Sequence, residues 1–220
     1  PGGYTRIVHL GSRMGDNADM VFIEWVVKNA EVRVKNQELS NLSLGDINNL
    51  EDEGLQTYAL TKYLLESYPN KRFVLDAGAL QMIDASWLNG LQELPILTPH
   101  VREFAVLFGE EATAGSIAEK AKNYNAVILV KGEEDIVCSP EKCVKVHGGN
   151  AGMTKGGTGD VLAGLVAALA CNNEPFLAAA AGSYINKKAG DRLFRSVGPY
   201  FNASDLVDEI PRVMKELVVK

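Results

Sequence analysis

A glycine-rich segment that runs into an apolar stretch is the part of the sequence best suited to chemistry. Six of the twelve residues at 148–159 are glycine, and the segment ends Gly156-Gly157-Thr158-Gly159-Asp160. The apolar residues 161–170 that follow are typical of a helix. Unpaired N–H groups and the helix dipole make a helix N-terminus an anion site, and glycines let a phosphate come close. The segment therefore predicts a phosphate-binding loop.

Asp160 lies at the mouth of this predicted anion site. A carboxylate repels a phosphate unless it has another task, and taking a proton from a hydroxyl that attacks the phosphate is such a task. The alternative is a surface loop in which Asp160 only caps a helix. The glycine density favours the phosphate site. Two better-known nucleotide motifs do not fit. No G-x-x-x-x-G-K-[ST] occurs, and Gly157-Thr158-Gly159 is not followed by the third glycine that G-x-G-x-x-G requires.

Composition narrows the class of protein. The chain has 220 residues, 46% of them apolar, and a formal charge of −6. We expect one domain over residues 1–220, with neither nucleic acid nor a membrane as a partner. No apolar run reaches the roughly 18 residues that span a bilayer, and no secretory signal opens the chain. Cys138, Cys143 and Cys171 lack metal-ligand spacing, so we predict reduced structural thiols in a cytoplasmic protein, and no metal site.

Strand-like and helix-like segments alternate along the chain. Strands are predicted at residues 5–10, 72–75, 95–97 and 126–130, and as a hairpin of Asp135–Cys138 and Cys143–Val146. Helices are predicted at residues 20–27, 55–68, 103–108, 112–124, 158–170, 175–193 and 203–218. Residues 31–35 suggest a strand, and residues 36–53 fit no element. This alternation favours a mainly parallel sheet that helices cover on both faces.

Polar residues follow three of the predicted strands. Asp76, His100 and the pair Lys131-Gly132 each stand at the carboxyl end of a strand, where ligands gather in parallel sheets. We therefore expect them to converge with the glycine loop. For each there is a plainer interpretation: Asp76 and His100 as helix caps, and Lys131 as a solvated charge.

Four blocks of sequence, in this order, resemble the ADP/ATP-dependent NAD(P)H-hydrate dehydratases. The blocks are VLDAGAL at 74–80, LTPHVREF at 97–104, VKG at 130–132 and GNAGMTKGGTGDVLAG at 149–164. The last block is the most specific, because G-[TA]-G-D alone occurs across ribokinase-like kinases. The resemblance covers roughly two thirds of the chain, from about residue 72 onward. It implies an α/β fold, the ribokinase-like three-layer αβα sandwich with a mainly parallel central sheet.

The resemblance also implies a reaction. The family uses ATP or ADP, with Mg²⁺ on the phosphates, to dehydrate a nicotinamide cofactor whose ring has taken up water, NADHX or NADPHX. Phosphorylating the ring hydroxyl turns it into a good leaving group. Asp160 would take the hydroxyl proton and touch the substrate, as would His100. Asp76 and Gly45 would also lie on the substrate side. The nucleotide would meet Lys131, Gly132, Glu133, Glu134, Asp135, Asn150, Gly157, Thr158 and Gly159.

The first third departs from the family's pattern. The usual Tyr-x-Gly-Ala segment is not recognisable at 14–19, and the Gly-Pro-Gly-Leu-Gly loop is missing, with only Gly45-Asp46 near its position. Lys155 replaces an expected small residue and is either solvated or a charge near the phosphates. Two alternatives follow: a ribokinase-like small-molecule kinase, or a nucleotide-binding homologue without turnover. The family's tendency to assemble also suggests a homo-oligomer.

Overall fold

The computed structural model describes residues 6–12, 19–24, 43–48, 50 and 52–218. The strands of this part are β1 (Arg6–Ser12), β2 (Asp19–Glu24), β3 (Val74–Leu75), β4 (Ile96–Leu97), β5 (Val127–Val130), β6 (Asp135–Cys138) and β7 (Cys143–Val146). The helices are α1 (Leu44–Asn48), α2 (Glu53–Ser67), α3 (Ala77–Met82), α4 (Val101–Phe108), α5 (Ala114–Asn123), α6 (Thr158–Ala170), α7 (Pro175–Val197) and α8 (Ala203–Val218). Two 3₁₀ turns span Ala85–Gly90 and Ala151–Met153.

All these strands join one seven-stranded sheet, in which each strand pairs with the next along the chain. The four central strands, β2 to β5, run parallel, as the pairing of Val74 with Ile96 illustrates. The two edges are antiparallel, with β1 against β2 on one side and β5, β6 and β7 on the other. The predicted α/β class, with a parallel centre to the sheet, is confirmed.

Alternating side chains on the strands divide the core into two layers of contacts. On β5, Val127 and Leu129 pack toward α6 and α7, whereas Ile128 and Val130 pack toward the side that carries α3, α4 and α5. This two-residue period follows from strand geometry, and all four side chains are buried. Helix α8 lies outside α6 and α7, with Leu206 and Val213 in the contact. The result is the predicted arrangement of helix, sheet and helix.

Strand order explains which helices lie on which face. Strands β2 to β5 are added in one direction, and crossovers between parallel strands are right-handed, so the connecting helices fall on one face. The other face must be covered by segments that come after the strands in the sequence. Helices α6 and α7 do this, and they bring the glycine loop with them. Among the helices of the described residues, none combines the length and apolar character needed to cross a membrane.

One predicted element is wrong and several others are shorter or longer than expected. Residues 20–27 were expected to be helical, but residues 19–24 form β2. A short apolar run does not distinguish a buried strand from a helix by its period, and here pairing with β1 and β3 decides. Strands β3 and β4 are shorter than predicted, and α7 extends to Val197. The strand expected at residues 31–35 lies outside the described residues.

The predicted hairpin is present with the expected bounds, and it contains a disulfide. Cys138 and Cys143 stand directly opposite each other across β6 and β7, with Cα atoms 4.1 Å apart, and their sulfurs are bonded. The expectation of reduced thiols is therefore wrong for this pair. The register accounts for the bond, because an opposed antiparallel pair holds its side chains close together. Cys171 is a free thiol.

Candidate active site

The glycine loop ends in a turn that only glycine adopts easily. Gly157 occupies the N-cap of α6 with φ 91°, and a Cβ there would lie 2.9 Å from the Ala203 Cβ. The buried Thr158 hydroxyl contacts the Met153 carbonyl at 2.6 Å and the Lys155 carbonyl at 2.9 Å. Thr158 therefore fixes the loop with its side chain rather than offering that side chain to a ligand.

The start of α6 presents donors without acceptors. Within the described chain, neither the Gly159 N–H nor the Asp160 N–H has a hydrogen-bond acceptor, whereas the Val161 N–H already bonds to the Gly157 carbonyl. Such first-turn groups, with the helix dipole behind them, attract anions. Asp160 is half-buried in the same turn. The Asp160 carboxylate thus lies in the same turn as the two unpaired N–H groups, and phosphate binding by this turn stays a prediction.

An ion pair between a half-buried lysine and a buried aspartate joins the ends of β3 and β5. The Lys131 ammonium donates to the Asp76 carboxylate at 2.6 Å, and the Asp76 side chain is 2% exposed. Burial raises the pKa of Asp76 above its ordinary value, and the Lys131 ammonium opposes that rise. Asp76 stands at the N-cap of α3 but makes no capping bond. Lys131 Nζ also lies 3.6 Å from where a Cβ on Gly159 would be, so the pair reaches the start of α6.

His100 is the cap of α4 as well as a wall of the cleft. Its Nδ1 accepts hydrogen bonds from the backbone N–H groups of Arg102 and Glu103, both at 3.1 Å, and the His100 N–H donates to Glu103 Oε2 at 2.8 Å. This capping box holds the ring with Nε2 facing Glu103 Oε1 at 3.5 Å. The imidazole is half exposed, and a backbone bridge ties His100 to Lys131.

The turn after β5 is organised around Asp135. Its carboxylate accepts from the Gly132 N–H at 2.9 Å and from the Ser183 hydroxyl at 2.7 Å, and it lies 3.2 Å from the Lys187 ammonium. Glu134 points the other way and pairs with Lys145 at 2.6 Å and His147 at 2.8 Å. The hydrogen bond from Lys145 lowers the pKa of Glu134. Both acids hold the turn in place.

The side chains of Asn150 and Lys155 also form hydrogen bonds within the protein. Asn150 accepts from the Gly152 N–H at 3.0 Å and donates to Asp191 at 3.2 Å, so both ends of its amide are used. The Lys155 ammonium donates to the Phe201 carbonyl at 2.7 Å and also to the Pro199 carbonyl. Lys155 therefore ties the loop to the segment before α8, while the residue stays exposed and also lines the cleft. Whether it adds charge near bound phosphates stays a prediction.

These elements enclose a cleft of about 830 Å³. Seven of the residues predicted to bind nucleotide line it, as does His100: Lys131, Gly132, Glu133, Asp135, Asn150, Thr158 and Gly159. Glu134, Gly157, Asp160 and Asp76 do not line it, although Lys131 connects Asp76 to it. Gly45 lies exposed on α1, away from the cleft lining. The binding roles assigned to all these residues stay predictions.

Sequence reasoning missed two residues of α7 that line the cleft. Lys187 is buried and bonds to three backbone carbonyls, and Asn186 is 4% exposed with an amide oxygen that has no partner among the described residues. A lysine inside an apolar helix, four residues after Ser183, was the only signal.

The described residues also contain no cluster of three or more His, Cys, Asp or Glu side chains able to hold a metal ion.

The layered sheet, with a glycine turn opening α6 beside the carboxyl ends of parallel strands, defines a ribokinase-like α/β protein. Solved ribokinase-like structures share the fold at 18–22% identity. A family model described as NAD(P)H-hydrate dehydratase matches residues 17–212. The chain therefore belongs to the NAD(P)H-hydrate dehydratase family.

Individual relatives agree with the family match. A bifunctional NAD(P)H-hydrate repair enzyme of Methanocaldococcus jannaschii is 40% identical over 160 residues, covering 73% of this chain and 31% of that protein. An ADP-dependent (S)-NAD(P)H-hydrate dehydratase of Cenarchaeum symbiosum is 38% identical over 151 residues, covering 66% of this chain and 52% of that protein. The chain thus spans about a third to a half of the length of these curated relatives.

A solved structure adds a nucleotide to the comparison. The ADP/ATP-dependent NAD(P)H-hydrate dehydratase of Bacillus subtilis, co-crystallised with ATP/Mg²⁺, matches with a TM-score of 0.61 and 29% identity. The match covers 67% of this chain and 55% of that one.

Proposed function

We propose that this protein uses ADP or ATP to dehydrate hydrated NADH or NADPH and so returns the reduced cofactor. The observation that carries the proposal is the first turn of α6. It combines two N–H donors without acceptors and the carboxylate of Asp160, in a chain that belongs to the NAD(P)H-hydrate dehydratase family. The ADP in the name of one relative and the ATP in the solved structure support an adenine nucleotide as phosphoryl donor.

The first step of the proposed mechanism is phosphoryl transfer. Water added to the nicotinamide ring leaves a hydroxyl, and hydroxide is a poor leaving group. Asp160 takes the proton of this hydroxyl while the hydroxyl oxygen attacks the terminal phosphorus of the nucleotide. A carbon–oxygen–phosphorus linkage forms, and the bond from phosphorus to the leaving ADP or AMP breaks. The N–H groups of Gly159 and Asp160 stabilise the charge that develops on the phosphoryl oxygens.

The second step is elimination. The lone pair of the ring nitrogen expels the phosphate, and a neighbouring ring carbon loses a proton to water or to the departing phosphate, so the double bond of the reduced nicotinamide returns. The products are NADH or NADPH, inorganic phosphate and the shortened nucleotide. In this scheme the cleft from Lys131 to Asn150 holds the nucleotide. His100 and the pair of Asp76 and Lys131 lie between the nucleotide and the hydrated ring.

Five further features belong to the proposal. Mg²⁺ would arrive on the nucleotide's phosphates, as is usual for phosphoryl-transfer enzymes. A single domain over residues 1–220, a cytoplasmic location and a homo-oligomer stay predictions, as does the contribution of Gly45 to the substrate side.

The decisive experiment follows absorbance at the reduced-nicotinamide band. Purified protein is mixed with hydrated NADH, Mg²⁺ and either ADP or ATP, and released phosphate is measured in parallel. Recovery of absorbance with an equal yield of phosphate supports the dehydratase, and the better nucleotide identifies the donor. A phosphorylated product that accumulates would instead indicate a small-molecule kinase. Nucleotide binding without turnover would indicate a homologue that only binds.

Replacing the proposed base gives the first prediction. Asp160→Asn removes the proton acceptor but keeps the shape of the turn, so turnover should fall by about 10²-fold or more. Nucleotide affinity should be kept or improved, because a carboxylate beside the phosphates is lost. Asp208→Asn, an exposed change on α8, serves as the matched control and should leave both quantities unchanged. Unchanged turnover in Asp160→Asn would exclude this residue as the base.

A further inference from the structure

Lys187 is a buried ammonium that joins two separate segments of the cleft wall. It donates to the Gly132 carbonyl at 3.1 Å and the Glu133 carbonyl at 3.0 Å, in the turn after β5. It also donates to the Gly148 carbonyl at 3.1 Å, in the loop that follows β7. The residue is 6% exposed. A single side chain of α7 therefore connects both loops that line the cleft.

The charge of Lys187 is balanced where it is buried. Asp135 Oδ1 lies 3.2 Å from Nζ, and the same carboxylate holds the Gly132 N–H and the Ser183 hydroxyl. A buried ammonium is stable only when its hydrogens and its charge both have partners. Three carbonyls and one carboxylate meet that requirement.

Two glycines of the glycine-rich segment are shaped around this lysine. Gly148 and Gly149 have φ values of 110° and 81°. A Cβ on Gly148 would lie 3.1 Å from Asp191 Oδ2 and 3.6 Å from the Lys187 Cβ, and one on Gly149 would lie 3.3 Å from the Lys187 Cγ. The left-handed backbone there brings the Gly148 carbonyl to the ammonium. Part of the glycine density thus serves Lys187, whereas Gly157 and Gly159 serve the start of α6.

We propose that Lys187 is a positioning residue that sets the spacing of the two loops on the nucleotide side of the cleft. The inference rests on the proposed function only in that the ligand is an adenine nucleotide. Lys187 acts through the backbone of Gly132, Glu133 and Gly148. Its loss separates these loops, weakens nucleotide binding and leaves the chemistry at the start of α6 largely intact.

The test compares Lys187→Ala with Lys188→Ala, its exposed neighbour on the same helix. Nucleotide affinity is measured by calorimetry with ADP or ATP and Mg²⁺, without the hydrated cofactor. Lys187→Ala should weaken binding at least about tenfold, as expected when binding groups move by a fraction of an ångström to an ångström. Lys188→Ala should bind like the wild type. At saturating nucleotide, kcat of Lys187→Ala should stay within about threefold of the wild-type value, so that the loss lies in KM.

Chemical rescue separates positioning from a general loss of structure. Lys187→Ala leaves a space lined by three carbonyls and a carboxylate, which an added ammonium ion fits. Ammonium chloride should restore much of the nucleotide affinity, and sodium chloride at the same concentration should not. Wild-type affinity in Lys187→Ala would overturn the proposal, and so would a loss of affinity and kcat together without rescue. If the wild-type protein binds nucleotide but shows no turnover, the dehydratase function is rejected. The comparison of nucleotide affinity between Lys187→Ala and Lys188→Ala still tests the positioning role.

Discussion

Lysine side chains around the cleft have their ammonium groups engaged by the protein itself. Lys131 bonds to Asp76, Lys155 to the Phe201 carbonyl and Lys187 to three loop carbonyls. The Lys131 ammonium lies beside the start of α6, where its charge adds to that of the helix end. Asp76 is therefore important in two ways, because it holds Lys131 in place and is itself a carboxylate out of reach of water.

The buried carboxyl of Asp76 predicts how stability depends on pH. Its pKa is raised above 3.8 by burial, so the folded protein holds this proton more tightly than the unfolded chain. The resulting stability is fully present below pH 3.8 and is lost as pH rises through the folded pKa. Relative to Asp76→Asn, the wild type should lose free energy of unfolding with rising pH, by at most about 1.4 kcal/mol per pH unit.

Urea denaturation of both proteins across the pH range in which they stay folded measures this difference. In a Lys131→Met background, the ammonium that opposes the rise in the Asp76 pKa is gone. The loss of free energy of unfolding should therefore continue to higher pH. If the wild type instead gains free energy of unfolding over Asp76→Asn as pH rises, the raised pKa of Asp76 is contradicted.

Side-chain roles were only partly predictable from the residues. Asp160, Lys131 and the glycine turn could be found because glycines, a helix start and strand ends leave a local pattern. The strand ends also predicted that Asp76 and Lys131 lie close together, but not the bond between these two side chains, which are 55 residues apart. Lys187 left almost no local signal, because lysines are rarely buried and one inside a helix is ordinarily taken as solvated.

At the scale of elements, the start of α6 depends on one backbone conformation. Gly157 needs φ 91° and close contact with Ala203, whereas a Cβ on Gly156 meets nothing within 4 Å. Gly157→Ala should therefore lower the free energy of unfolding by about 1–3 kcal/mol. It should also weaken phosphate binding, because the first turn shifts. Gly156→Ala is the matched control and should change stability by less than about 0.5 kcal/mol.

Thermal or urea unfolding of the two glycine variants, together with nucleotide titration, gives the comparison. Equal stability of the two variants would mean that the turn relaxes without strain. Equal affinity would mean that the N–H groups of α6 do not hold the phosphate.

Element bounds were predictable where the chain marks them. The hairpin and helices α6 and α8 have the predicted bounds, since glycine, proline or Asn flanks them and their patterns are strong. Strand β2 was predicted as a helix because its apolar run has no marker of its own, and only its neighbours in the sheet decide it. Helix α3 was missed, being six residues long and without a periodic pattern.

At the scale of the molecule, Arg72 ties distant parts of the chain together. It lies just before β3 and donates to the carbonyls of Ala170 and Asn173, both at 2.9 Å, at the end of α6. A cation there complements the helix dipole and pairs carbonyls that are otherwise open. Arg72→Met should therefore lower the free energy of unfolding by about 1–3 kcal/mol.

Arg102→Met is the matched control for this tie. Arg102 is exposed on α4, and its side chain has no hydrogen-bond partner among the described residues. Denaturant unfolding of both variants should show the loss only in Arg72→Met. A loss of similar size in both would mean that the effect reflects a missing surface charge.

The order of the strands also determines when the site can exist during synthesis of the chain. Strands β2 to β7 and the helices of one face are translated first, and a ribosome that has reached residue 157 has made a sheet with one bare side. Val74, Ile96 and Val127, each at most 3% exposed in the finished protein, face water or a chaperone at that moment. Only when α6 and α7 emerge does that side close, and the same event delivers Asp160 and Lys187. The proposed base and the second layer of the core are therefore completed together, after the strands of the sheet have been made.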